Sequence, residues 1–544
     1  MAYEENEGEI PEDIVEKTQT IWKGYSNKRE LWAQQAQEDA EFRLGRQWTA
    51  EQQRVLLERG QAPLVVNRIH PAVEAAKALL TSGKPQFRVS PREDSDNKVA
   101  QVFNGLLEYM WYISDGTQAL RNTIDDYYTM GMGAMMCYID PLKDFGRGEV
   151  VIKDIDPLDV YIDPNSRERL GDDAENIIVS RMFTKEQAMR MYPQYENAIK
   201  TSQSDLHSDR PTTTRIDDKG IVFPEDTSTK TDNSWGSNSE YIRGYERYYK
   251  VWVKRFHIKN NIDKREEVLI EDEMEEYLAR PAIKINGQPI TDPKKAEGII
   301  NQLTQQYDQA VQKAEMEDVD PPQMPNIEQV TFADLMNEGL IETVSVPVQR
   351  VKMCVIMGDK YLYSRILPME HYPVVLFMNI HTRTPYPVSD VRMVKDMQEY
   401  INKTRSLIIA HATTSTNTKI LIPSGSVDMQ DFEQRWAQPG VAIEVDMDGG
   451  APQPIQPTPL PNTLYQNEQV AKTDIDHALG LYELMQGNAQ AAPHTYKATV
   501  ALDEFGQRKI KSKLQDIETG LVRLARVAIP LMQQLYQAEK VIRI

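Results

Sequence analysis

Apolar residues recur with a rough helical period over residues 13–59, where Trp22, Tyr25, Leu31, Trp32 and Phe42 share one stripe. The pattern then predicts an extended segment at 63–69, a helix at 71–80 and a strand at 87–90. A longer helix is predicted over 97–130, stopped by Gly131 and Gly133. Alternation takes over at 134–140 and 149–155, which read as strands around a turn at 143–148, and again at 177–183. Thr184 followed by Gln187 is a capping-box pattern for another helix. Residues 201–240 are rich in Ser, Thr, Asp and Asn with almost no apolar period, and predict a long flexible surface excursion.

Strands resume at 245–257, where Tyr248, Tyr249, Val251, Trp252 and Val253 favour a sheet. A polar helix is predicted at 293–316, an acidic, Pro-rich break at 315–325, and one antiparallel group from 348–356, 360–366 and 374–377. The last third changes character. Residues 389–415 form a long helix with Val391, Val394, Met397, Ile401, Ile408 and His411 at heptad-like spacing. A Gly/Pro-punctuated β segment at 418–461 follows, then a second long helix at 462–486 with Leu464, Ala471, Ile475, Ala478, Tyr482 and Met485 on one stripe. Residues 486–494 break that helix and 496–537 form a third. At ~1.5 Å per residue, each of the first two helices runs about 35 to 40 Å. Two long helices flanking a compact insert, then a loop and another helix, are an unusual order for an enzyme. The fold class is α+β, and the lack of any repeat of 20 to 50 residues argues against solenoids and propellers.

At 544 residues the chain exceeds one ordinary core, and its 40% hydrophobic and 26% charged residues are ordinary for a soluble globular protein. Its apolar runs are too short to span a bilayer, and its N-terminus is acidic where a secretory signal is basic and then apolar. A cytoplasmic or virion-assembly setting is expected, with no membrane partner. Cys137 and Cys354 each sit in an apolar run and read as buried thiols. The net charge of −20, from 62 basic and 82 acidic side chains, argues against a protein that grips duplex DNA across its surface. It suits either plain solubility or an acidic passage that repels phosphates.

No enzyme chemistry is expected. Ser82-Gly83-Lys84 lacks the upstream glycine of a phosphate-binding loop, and Gly131-Met132-Gly133 lacks the third glycine of a dinucleotide turn, so no nucleotide cofactor is expected. The eight histidines are scattered, and His371 and His381 read as structural. The run from Asp154 through Asp156 and Asp163 to Pro164 is dense in carboxylates, but Asp-Pro pairs more simply start turns, and no metal is expected. A metal-dependent nuclease built on Asp154, Asp156 and Asp163 is kept as an alternative. The third helix carries Lys497, Arg508, Lys509, Lys511 and Lys513 beside an apolar stripe of Ile510, Leu514, Ile517, Leu521 and Leu524. These cations form either a solvated face or a basic band facing DNA.

Several blocks occur in a fixed order: residues 42–49 (FRLGRQWT), 66–71 (VNRIHP), 154–157 (DIDP) with 160–164 (VYIDP), then the strand 178–183 and the Thr184 helix. Together with the helix–insert–helix–loop–helix tail, they resemble the portal proteins of short-tailed phages. The resemblance implies a dodecameric ring with a channel for double-stranded DNA. It implies a wing over 1–388, stem helices at 389–415 and 462–485, a clip at 416–461 and a tunnel loop at 486–495. The remaining 496–544 imply a C-terminal helix and the start of a strand leading toward a crown. The loop residues Gln486, Gly487, Asn488, Ala489, Gln490, Ala491, Ala492, Pro493 and His494 are small or uncharged, which suits sliding contact with DNA. Trp436, Pro452 and Pro454 are expected at the clip's partner surface. The implied partners are further copies of the chain, the terminase large subunit, head–tail adaptors and the major capsid protein. Relatives continue into a helical crown, and the expectation is that the chain extends past Ile544. A head–tail adaptor or scaffold protein is the other virion reading, disfavoured by length.

Overall fold

The apolar stripe of residues 13–59 folds as two helices. Helix α1 (Pro11–Leu44) stops at Gly45, whose φ of +115° suits only glycine, and α2 (Ala50–Glu58) starts at a capping box formed by Thr49 and Gln52. Helix α3 (Ile69–Leu80) follows. The helix expected over 97–130 is broken into α4 (Asn97–Ile113) and α5 (Gly116–Thr129) by Asp115, which takes a left-handed φ of +48°. Gly116 is required there, because a Cβ would lie 2.4 Å from the Trp111 ring. Residues 87–90 form no strand. Their backbone is held by a side chain instead, Val89 N–H donating to Asn104 Oδ1 at 2.6 Å.

This computed structural model describes residues 11–81, 83, 85–91, 97–203, 241–285, 287–291, 293–317, 326–416, 419–435, 438, 440–446, 450–455, 459–480 and 496–536. The chain divides into two units. The first is Met1–Tyr248 with Cys354–Arg365 and His371–Ile544, and the second is Tyr249–Met353 with Ile366–Glu370.

In the first unit, β1 (Met132–Asp140) pairs antiparallel with β2 (Glu149–Ile155), from Ala134↔Ile155 to Asp140↔Glu149. Strands β3 (Val160–Ile162) and β4 (Asn176–Thr184) pair in another sheet, and Thr184 caps α6 (Lys185–Met191) with Gln187 as expected. Helix α7 (Glu196–Thr201) precedes the excursion, of which residues 204–240 lie outside the described set. Strand β5 (Tyr241–Asn260) begins in this unit and ends in the second.

The second unit continues with β6 (Arg265–Ile270), α8 (Glu271–Leu278), β7 (Pro281–Ile285), β8 (Gln288–Ile290), α9 (Pro293–Glu317), β9 (Ile327–Thr331), α10 (Phe332–Asn337) and the first part of β10 (Ile341–Met357), whose residues from Cys354 belong to the first unit. Its small core joins Ile258, Met274, Tyr277, Phe332, Leu335 and Ile341. A three-stranded sheet runs β8-β7-β9.

Strand β11 (Lys360–Ile366) extends the sheet ordered β11-β10-β5-β4-β3. Strand β12 (Val374–Met378) does not join it, contrary to the single antiparallel group expected. It pairs with β1, Met132↔Met378 to Met136↔Val374, because all five of its residues are buried and need cover on both faces. Helix α11 (Asp390–Thr416) follows. The described residues of the insert after it hold β13 (Ile420–Leu421), α12 (Met429–Arg435) and β14 (Gln453–Pro454), a short ladder plus one helix. Helix α13 (Asn462–Leu479) ends at Gly480, left-handed at φ +75°, and α14 (Tyr496–Leu535) packs on β1, β2 and β12. Gly520 permits that approach, since a Cβ would lie 2.4 Å from Phe377. The fold is mixed α+β.

Candidate functional site

The two long helices of the last third, α11 and α13, pack against each other. Val391, Val394, Ile401 and Ile408 of α11 are buried, as their spacing predicts, and Ala471 and Ile475 face inward from α13. Buried Glu468 ties the pair, accepting from Arg405 at 2.5 Å and pairing with Lys472 at 2.7 Å.

A second face of α11 is polar yet fully buried. Gln398, Asn402 and Ser406, spaced four apart, hold residues 64–68 by their backbone. Leu64 N–H donates to Ser406 Oγ at 3.3 Å, Val66 N–H to Asn402 Oδ1 at 2.9 Å and Arg68 N–H to Gln398 Oε1 at 3.1 Å. Gln398 Nε2 returns a bond to the Val66 carbonyl at 2.7 Å. Periods explain the fit. Four helical residues rise about 6 Å and two extended residues about 6.6 Å, so each step along one matches a step along the other.

The blocks that carry the sequence resemblance meet here. Gln47 accepts from Asn402 Nδ2 at 2.5 Å, and Asn67 Nδ2 donates to the Arg43 carbonyl at 2.6 Å while its Oδ1 accepts from Ile69 and His70 N–H. Arg68 pairs with Asp476 of α13 at 3.1 Å. The 154–164 run is also used for turns. Asp156 accepts from Leu158 N–H at 2.9 Å, Asp163 accepts from the N–H groups of Asn165 and Glu175, and Arg29 donates to the carbonyls of Leu158 and Val160. Among the described residues no group of three His, Cys, Asp or Glu side chains could hold a metal, so Asp154, Asp156 and Asp163 do not converge.

The third face of α11 is exposed and mixed, with Asp396 and Lys403 standing between three apolar residues. Met393, Tyr400 and Leu407 repeat every seven residues and remain 61%, 40% and 37% exposed. At about 100° per residue they lie opposite Gln398, and among the described residues they stay partly uncovered.

Lys513 departs from expectation. It was grouped with the cations able to face DNA, but it is buried, its ammonium pairing with Asp390 and donating to Asn379 Oδ1 at 2.7 Å beneath the rings of Tyr127 and Tyr128. Asp390 opens α11, so the pair fastens α14 to α11. Lys511 is exposed. The side chains of Lys497, Arg508 and Lys509, the loop from Gln486 to His494, and Trp436 lie outside the described residues. Pro454 is exposed in the insert's ladder opposite Ile420, with Pro452 beside it. His371 meets Asp172 and Arg523, and Cys137 and Cys354 are buried thiols outside any disulfide, burial pushing the Cys137 thiol up to about 12.

Helices α11 and α13 thus pack on each other, while Met393, Tyr400 and Leu407 stay partly exposed on another face of α11. Residues 20–544 match the model of phage P22-like portal proteins, and the chain belongs to that family. It is a bacteriophage portal protein, a virion component of the head–tail connector class that serves genome packaging. No curated protein matches it. No described helix is long and apolar enough to cross a membrane.

Proposed function

We propose that copies of this chain close into a dodecameric ring through which double-stranded DNA is packaged and later ejected. The observation that carries the reading is the uncovered stripe Met393, Tyr400 and Leu407 on the helix whose other two faces are buried in the subunit. A head-to-tail contact repeated about an axis buries such a stripe once per subunit and closes a ring. In this reading residues 1–388 are the wing and contact the major capsid protein, while 389–415 and 462–485 line the waist. The 416–461 insert is the clip that docks the terminase large subunit and then head–tail adaptors, with Trp436, Pro452 and Pro454 at its surface. The 486–495 loop faces the duplex, residues 496–544 lead toward a crown, and Lys497, Arg508, Lys509 and Lys511 remain candidates for phosphate contact. ATP-driven work comes from a separate motor.

Negative-stain imaging of the purified chain tests this. Ring-shaped particles with a central hole are expected; a strict monomer at micromolar concentration contradicts the reading.

A further inference from the structure

In the second unit β5 lies between β10 and β6. Phe256, Ile258 and Leu269 turn one side of this ribbon toward the core of Met274, Tyr277 and Phe332. Alternation sends Val251, Val253 and Arg255 to the other side, and Val344, Val346 and Val348 share one side of β10. Lys352 lies over the Tyr249 ring at 5.9 Å, which puts those two rows on the same face, and Val268 joins them opposite His257. The outer side of an antiparallel sheet is ordinarily polar. Here Val344, Val346 and Val268 are 61%, 39% and 43% exposed, and Val251, Val253 and Val348 are half-buried.

Arg255 lies among them, half-buried, its Nε enclosed and without a hydrogen-bond partner among the described residues. The acids of the face are already engaged. Glu266 stands opposite Lys259, Glu342 accepts from Asn261 at 3.2 Å, and Glu370 pairs with Arg350 at 3.9 Å. The face therefore calls for an apolar cover that brings a carboxylate.

Helix α9 has that chemistry. Ile300, Leu303, Tyr307 and Val311 recur three and four residues apart and are half-buried, and Ile299 beside them is 38% exposed. Asp308 is exposed at the flank of this stripe. From Ile300 to Val311 the stripe runs about 16 Å, against about 20 Å of β5 from Val251 to His257. In one copy the two surfaces cannot meet. Helix α9 packs on β7 and β8, and Ala282 of β7 belongs to the core on the inner side of the ribbon. The helix and the valine face therefore look out of opposite sides of the unit, the arrangement of a head-to-tail contact between copies. We propose that α9 of one copy lies across the valine face of the next, with Asp308 meeting Arg255.

The test uses the full chain carrying Tyr307→Cys and Val344→Cys, treated with a short bismaleimide linker. Native Cys137 and Cys354 are fully buried and stay out of its reach. A ladder of covalent multimers is expected from the double variant and none from either single one. Linkage within one chain, or dimers from Val344→Cys alone, overturns the proposal. Arg255→Glu should weaken assembly about tenfold, and adding Asp308→Arg should restore it. A second change that restores nothing counts equally against the contact. The contact rests on the ring reading only in requiring copies to meet. Rings that never cross-link sink the contact alone, and subunits that never associate sink both.

Discussion

Lys513 stands three residues after Ile510 and four before Ile517, both buried, so helical geometry places it on the inner face of α14 despite its charge. Its position was therefore legible as interior. Its partners were not, because Asp390 and Asn379 lie 123 and 134 residues away along the chain. Removing one member of a buried pair strands the other, at about 3 to 5 kcal/mol. Lys513→Met is expected to lose that much stability in urea unfolding, and Lys513→Glu more, since it sets a second carboxylate against Asp390. A loss below about 1 kcal/mol contradicts the assignment. Asp39 carries a pH signature. Burial raises its carboxyl to about 6, against the lowering influence of Arg392, Ser389 and Lys395. A group raised on folding favours the folded state while protonated, and that contribution is lost as pH climbs from about 4 through about 6. For a rise of roughly 2 units it amounts to on the order of 3 kcal/mol. Asp39→Asn should flatten the melting temperature across this window. An unchanged pH profile excludes Asp39 as its source.

Local chemistry announced most elements. Thr184 with Gln187 forms both bonds of its capping box, and of the heptad positions Val391, Val394, Ile401 and Ile408 are buried while Met397 and His411 are half-buried. Boundaries failed where one residue's conformation decided them, as at Asp115, or where a side chain replaced a strand partner, as Asn104 does for Val89. The strap over 64–68 was legible as extended but not as the occupant of a helix face, since Gln398, Asn402 and Ser406 look like any solvated polar row. Gln398→Leu leaves the Arg68 N–H and the Val66 carbonyl without their partner, at about 1 to 3 kcal/mol for each buried group. Hydrogen exchange at Val66 and Arg68 should quicken in this variant while β1 keeps its protection. Equal protection at the strap in both proteins contradicts its dependence on α11.

At the scale of the whole molecule, the blocks at 42–49 and 66–71 were recognisable as a series long before their purpose was. Arg43, Gln47 and Asn67 serve contacts with α5, α11 and each other, which no single block displays. The second unit was the least legible part, because α8, β7, β8 and α10 are short and their core of Met274, Tyr277, Phe332 and Leu335 assembles from separate segments. The central claim is that the Met393, Tyr400 and Leu407 stripe is covered by a neighbouring copy. Mass photometry of the purified chain beside Met393→Asp/Leu407→Asp tests it most directly. The account predicts a closed oligomer for the parent and folded, dissociated subunits for the variant, with unchanged circular dichroism. A variant that assembles as well as the parent would contradict it.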